Sequence, residues 1–131
     1  EEKMSALEGA DRATSFATGM AAISNTLFTV LEPGDRVVSI KDTYGGTSRL
    51  SLDFLPRNRI EVTLCDTTDH EALEREVAKG CKLLYLESPT NPTTKVLEGS
   101  PIAVGYLPPQ SVEYFSIAVP MFLRLDLQAV N

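Results

Sequence analysis

Cysteine is scarce in this chain of 131 residues, with only Cys65 and Cys81 present. Two thiols make no disulfide framework, and both flank apolar runs, the usual place for a buried small hydrophobe. There is no Cys-x-x-Cys, and His70 is the single histidine, so the ligand spacing of a structural zinc site is missing. His70 falls at a predicted helix start, in Asp69-His70-Glu71, and without a metal partner or nucleophile beside it reads as a solvated side chain. Basic residues are in deficit. The formal net charge of −6 argues against a nucleic-acid surface and gives no support for binding anionic membranes. No apolar run approaches the ~18 residues that a membrane span needs, and no signal-peptide pattern is seen, so the expected compartment is the cytoplasm. Neither G-x-x-x-x-G-K-[ST] nor G-x-G-x-x-G occurs, which removes the common nucleotide-binding readings.

What remains is an ordinary globular composition, 43% hydrophobic and 23% charged, and a chain long enough for one domain with a core. Glu1 to Leu7 reads as the end of a helix stopped at Gly9. Ala13 to Ala17 suits a short strand. Met20 to Leu31 carries apolar residues at 20, 23, 27, 30 and 31, a helical spacing. After the loop Glu32-Pro33-Gly34-Asp35, the β-branched run Arg36 to Ile40 predicts a strand. Ser48 to Leu55 suits a short helix ended by Pro56, Ile60 to Leu64 alternates like a strand, and Glu71 to Lys79 predicts a helix with its N-cap in Asp66-Thr67-Thr68-Asp69. Lys82 to Leu86 is a short apolar strand. This alternation predicts right-handed βαβ units: an α/β fold of three layers, αβα, around a mainly parallel sheet. Beyond Leu97 the character changes. Pro101, Pro108, Pro109 and Pro120 punctuate a tail that fits neither period, so residues 1–97 are expected to form one unit and 98–131 a divergent tail.

Three loops are candidates for chemistry, because ligands of open α/β sheets bind beyond the carboxyl ends of strands. Ala17 to Met20 puts Gly19 directly before a helix, where free N–H groups and the helix dipole favour an anion. Its ordinary alternative is a plain helix start. Asp42 to Thr47 offers Tyr44 followed by Gly45 and Gly46, a ring able to stack on a planar ligand or simply a surface or core tyrosine. Glu87-Ser88-Pro89-Thr90-Asn91-Pro92 is stiffened by two prolines and offers Glu87 and Asn91, the latter able to donate to an anionic oxygen or merely to brace the turn.

Taken together, Ala6-Leu7-Glu8-Gly9-Ala10, Ser15-Phe16-Ala17-Thr18-Gly19-Met20-Ala21-Ala22-Ile23, Pro33-Gly34-Asp35, Tyr44-Gly45-Gly46-Thr47 and Glu87-Ser88-Pro89-Thr90-Asn91-Pro92-Thr93 resemble the large domain of the Cys/Met-metabolism enzymes that use pyridoxal 5′-phosphate (PLP). That family includes cystathionine γ-synthase, the cystathionine lyases and methionine γ-lyase. The resemblance covers about residues 1–97 and implies a piece of the fold-type I PLP-dependent transferase large domain. It implies that the amides of Gly19 and Met20 hold the cofactor phosphate, and that Tyr44 stacks over the pyridine ring and helps move protons. It further implies that Asn91 bonds the phenolic oxygen and that Glu87 lines the same pocket. The implied substrate is a small sulfur amino acid, the implied assembly a homo-oligomer, and the implied reaction transsulfuration or β/γ-elimination.

The family continues into a V-V-D-N-T-type strand, whose aspartate pairs with the pyridine nitrogen, and an S-x-T-K segment, whose lysine forms the Schiff base. Neither is present here; Lys3, Lys41, Lys79, Lys82 and Lys95 lie in other settings. After Lys95-Val96-Leu97 the family pattern stops at Gly99-Ser100-Pro101. The expectation is therefore an incomplete enzyme, with a catalytically inactive truncated or frameshifted remnant, or a non-enzymatic interaction fragment, as the alternative.

Overall fold

The computed structural model describes residues 1–8, 11–88, 90, 93, 112–119 and 123–130. Three parallel strands form its centre: β1 (Arg36–Ile40), β2 (Glu61–Cys65) and β3 (Leu83–Ser88). β1 lies between the other two, with Val38 opposite both Thr63 and Leu84. Two further strands, β4 (Val112–Val119) and β5 (Leu123–Val130), form an antiparallel pair. β5 runs antiparallel to β3, giving the order β2-β1-β3-β5-β4. The edge of β3 away from β1 is thus paired with a strand of the chain's own tail.

The fold is α/β and layered. Side chains alternate across a strand, so β1 sends Val37 to one face and Val38 and Ile40 to the other. On the first face Val37, Leu83 and Tyr85 pack with Ile23, Leu27 and Leu31, and with Leu50, Leu55 and Ile60. On the second face Val38, Ile40, Cys65 and Leu84 pack with Leu73. Burial on both faces explains the unbroken apolar runs Val37-Val38 and Leu83-Leu84. It also accounts for Cys65, which is buried and free, and for Cys81, half-buried and free. Burial pushes both thiols above their ordinary range, so they behave as core side chains.

The helices are α1 (Glu2–Glu8), α2 (Gly19–Val30), α3 (Gly45–Arg49), α4 (Leu55–Arg57) and α5 (His70–Ala78). α2 and the α3–α4 segment cover the first face and α5 covers the second. α5 is capped by the Asp69 carboxylate, which accepts from the Ala72 amide at 2.8 Å, as its sequence predicts. α3 begins at Gly45, three residues before the expected Ser48, because the Gly45-Gly46 pair is wound into the helix rather than into the turn. Leu50–Phe54 joins α3 to α4 as a π-helical turn. The cause is Pro56: its ring clashes with the carbonyl four residues back in an α-helix, and the widened turn, with Leu55 N–H bonded to Leu50 O, relieves that crowding. The helical path therefore runs through Pro56 to Arg57 rather than stopping at it.

One expected element is absent. Residues 12–16 are irregular, not a strand. The Ser15 amide donates to the Glu1 carboxylate at 3.0 Å instead of to a neighbouring strand, and a strand without a ladder partner has no place for its backbone groups. Among the described residues no helix is long and apolar enough to cross a membrane, and no cluster of His, Cys, Asp or Glu could hold a metal.

Candidate functional site

The parallel register puts the carboxyl ends of β1, β2 and β3 on one edge of the sheet. The period of two along β3 then decides which side chains reach it. Tyr85 and Glu87 both point to the face covered by α2 and α3, two residues apart on the same strand. Tyr85 is 2% exposed and Glu87 is 0% exposed. The Tyr85 hydroxyl donates to Glu87 Oε1 at 2.8 Å. The other carboxyl oxygen, Oε2, accepts the Tyr44 amide N–H at 2.9 Å. One carboxyl group thus joins the end of β3 to the loop after β1.

That loop is rigid for local reasons. Thr43 Oγ1 and Ser48 Oγ are 2.9 Å apart and hydrogen-bonded, and the Ser48 amide donates to the Tyr44 carbonyl at 2.9 Å. Tyr44 is the N-cap residue of α3 and makes no side-chain cap bond, so its ring is free to point outward, 46% exposed. Gly46 packs against the first turn of α2: a Cβ built there would lie 2.7 Å from Met20 Sδ and 3.0 Å from Tyr44 Cε1. Only glycine gives that approach without displacing a neighbour.

α2 opens with an ordinary cap. The Thr18 hydroxyl accepts the Ala21 amide at 3.1 Å, and Ala22 N–H bonds to the Thr18 carbonyl at 3.1 Å. Among the described residues no acceptor reaches the N–H groups of Gly19 and Met20, which are the first two of the helix. Such a pair at the positive end of a helix dipole suits an anion.

The structure therefore brings Met20, Tyr44, Gly46 and Glu87 together, with Gly19 next to them in chain. Asn91 lies outside the described residues. Thr90, just beyond β3, is buried, with its hydroxyl 2.7 Å from that of Thr93. Two residues of the cluster have no role assigned from sequence. Tyr85 is visible in sequence only as part of an apolar run, yet its period-two relation to Glu87 places it on the same face. Thr47 is buried, and its Oγ1 lacks a hydrogen-bond partner of acceptable geometry, although it lies close enough to the Tyr85 phenol to favour the ionised form slightly. That influence is outweighed: burial, then the neighbouring Glu87 carboxylate, push the Tyr85 phenol far above its ordinary value of 10.0. Of the two tyrosines in this cluster, Tyr44 is exposed and Tyr85 is buried.

The family model for Cys/Met metabolism PLP-dependent enzymes matches residues 1–103. The chain is 43% identical over 98 residues to cystathionine beta-lyase MetC of Bacillus subtilis (strain 168), a stretch that makes up 75% of this chain and 25% of that protein. It is 42% identical over 98 residues to L-methionine gamma-lyase of Fusobacterium nucleatum subsp. polymorphum, with the same shares of the two chains. Among solved structures, cystathionine gamma synthase from Xanthomonas oryzae pv. oryzae superposes with a TM-score of 0.70 at 32% identity, over 81% of this chain and 29% of that one. The chain spans about a quarter of the length of the curated relatives it matches.

Proposed function

Because the chain belongs to the family of Cys/Met-metabolism PLP-dependent enzymes, we propose that its residues 1–97 form one wall of a site for pyridoxal 5′-phosphate, the cofactor of that family. The chemistry served is transsulfuration or β/γ-elimination on small sulfur amino acids, in a homo-oligomeric enzyme. Residues 98–131 are outside that wall on this reading, although the family match runs on to residue 103.

The observation that carries the proposal is the docking of the start of α2, the start of α3 and the end of β3 through Met20, Gly46, Tyr44 and Glu87. The donor set fits the group. The N–H groups of Gly19 and Met20 at a helix start, which have no acceptor among the described residues, suit a phosphate. A half-exposed phenol ring beside them suits a flat heteroaromatic face. Gly46 lies against both the Met20 side chain and the Tyr44 ring, where a Cβ would come within 2.7 Å of Met20 Sδ and 3.0 Å of Tyr44 Cε1. Asn91 is assigned to the phenolic oxygen, and Glu87 lines the pocket from behind Tyr44.

When bound, the cofactor supplies an electron sink for charge that develops on the substrate. This chain's own residues bind and orient. The amides of Gly19 and Met20 would hold the phosphate, the Tyr44 ring would stack on the ring face, and the Tyr44 hydroxyl could hold or pass a proton at the exposed side. The Tyr85 phenol, buried and with its neutral form favoured, serves as a donor to Glu87.

Equilibrium dialysis of the whole chain against PLP and against pyridoxal, the same ring without phosphate, tests the proposal. PLP should bind at least about tenfold more tightly, a difference of ~1.4 kcal/mol. Gly19→Pro should abolish most of that preference. Proline is tolerated at the first helical position, and Thr18 already has the extended backbone that precedes proline, φ −146° and ψ 155°. The helix survives while one amide donor is lost. Equal binding of both ligands by the unaltered chain would refute the phosphate assignment.

A further inference from the structure

Among the described residues Glu87 is a carboxyl group with no exposure at all, and both of its oxygens are already engaged. Oε1 takes the Tyr85 hydroxyl at 2.8 Å and Oε2 takes the Tyr44 amide at 2.9 Å. A group so enclosed has little left to offer a ligand. We propose that Glu87 is a positioning residue for Tyr44 rather than a ligand contact, and that Tyr85 is the group that orients it.

The chain of constraint is continuous. The Tyr85 ring packs in the core with Ile23, Leu27, Val37 and Leu83. Its hydroxyl fixes one oxygen of Glu87, the other oxygen fixes the Tyr44 amide, and the exposed ring follows from there. The local bonds at Thr43 and Ser48 hold this loop only to itself, whereas the Glu87 bond ties the start of α3 to the end of β3. A carboxylate suits the position because both of its partners are donors. A glutamine retains one acceptor oxygen for the Tyr44 amide, and its NH2 can donate to the Tyr85 hydroxyl, which accepts as well as donates. A leucine of similar size can do neither. What the positioned ring stacks on rests on the PLP reading above; the restraint itself does not.

Amide hydrogen exchange of the whole chain, measured by NMR without PLP, tests the restraint. In the unaltered chain the Tyr44 amide should exchange at least about tenfold more slowly than that of Gly45, for which no acceptor is seen among the described residues. Glu87→Leu should speed exchange at Tyr44 by about tenfold and leave the sheet amides of Val38 and Leu84 unchanged, whereas Glu87→Gln should stay within about threefold of the unaltered chain. A general stabilising role would instead speed Tyr44, Val38 and Leu84 together, and that result overturns the proposal, as does a Tyr44 amide that exchanges like Gly45. Should Glu87→Leu fail to fold, the Tyr44–Gly45 comparison and the glutamine variant decide by the same limits. Because no PLP is present, failure of the PLP reading leaves this result untouched. In the dialysis assay Glu87→Leu should weaken PLP while leaving competition by inorganic phosphate unaltered; equal weakening of both would place Glu87 in phosphate binding and overturn the positioning role.

Discussion

Met20 Sδ stands 2.7 Å from the point that a Cβ on Gly46 would occupy. The first turn of α2 and the first turn of α3 therefore touch across a residue that has no side chain. Gly46→Ala should push the Met20 thioether and the Tyr44 ring aside together. The far end of a methionine yields readily, and alanine gains helix propensity, so the stability cost should be about 1 kcal/mol or less. PLP affinity should fall about tenfold. Urea melts paired with the dialysis assay check both, and an unchanged PLP affinity would remove Gly46 from the site.

Arg36 secures the opposite edge of the sheet. Its Nε donates to Glu61 Oε1 at 3.0 Å, Nη1 to the carbonyls of Glu76 and Gly80 at 2.8 Å each, and Nη2 to Thr63 Oγ1 at 2.9 Å and Glu76 Oε2 at 2.7 Å. All five N–H groups are used, joining β1, β2 and the end of α5. Lysine has three donors on a flexible stem and cannot reproduce that planar fork. Arg36→Lys should cost about 2 kcal/mol in urea unfolding while leaving PLP affinity per folded molecule unchanged.

The Glu76 carboxyl is held below its ordinary value of 4.5, first by a hydrogen bond from Lys79 and then by Arg36, against some loss of hydration. Its folded pKa lies below the unfolded one. The associated stability is complete above the unfolded value and fades as pH falls through the folded value. Urea midpoints followed downward from about pH 6 should drop more steeply for the unaltered chain than for Glu76→Gln. Parallel curves would mean that the Lys79 and Arg36 contacts contribute nothing in solution.

Arg59 has φ of 61° in the turn that ends α4, where Arg59 N–H bonds to Pro56 O at 3.0 Å and Ile60 N–H to Leu55 O at 3.1 Å. Glycine is the usual residue in that left-handed position. Arg59→Gly should raise stability by about 1 kcal/mol, read as a higher urea midpoint with the slope unchanged.

Legibility in the sequence followed the strength of local patterning. β1 is found at its expected bounds because a β-branched run between turn residues has few alternatives, α2 matches within a residue through its apolar spacing, and α5 matches within a residue through its N-cap segment. Ala13 to Ala17 looks strand-like in sequence, but strand formation depends on a partner that composition does not reveal. The start of α3 was hidden because Gly45-Gly46 is a turn signal that the packing against Met20 overrides. The tail was illegible because β4 and β5 exist through pairing with each other and with β3, a long-range fact. At the site, Gly19, Met20, Tyr44 and Glu87 stand out as loop residues following predicted elements, whereas Tyr85 carries no loop signal and emerges only through what it touches, and Thr47, though in a candidate loop, gains its place beside Tyr85 only in three dimensions.

The central claim is that the turns at Gly19-Met20, Tyr44-Gly46 and Glu87 surround one ligand. NMR titration of the whole chain with PLP tests it most directly. The amides of Gly19, Met20, Tyr44, Gly45, Gly46 and Thr47 should shift together along one binding curve, with Arg36, Glu76 and Gly80 at the other edge of the sheet unmoved. Shifts confined to that other edge, or separate curves for Gly19 and Tyr44, would contradict it.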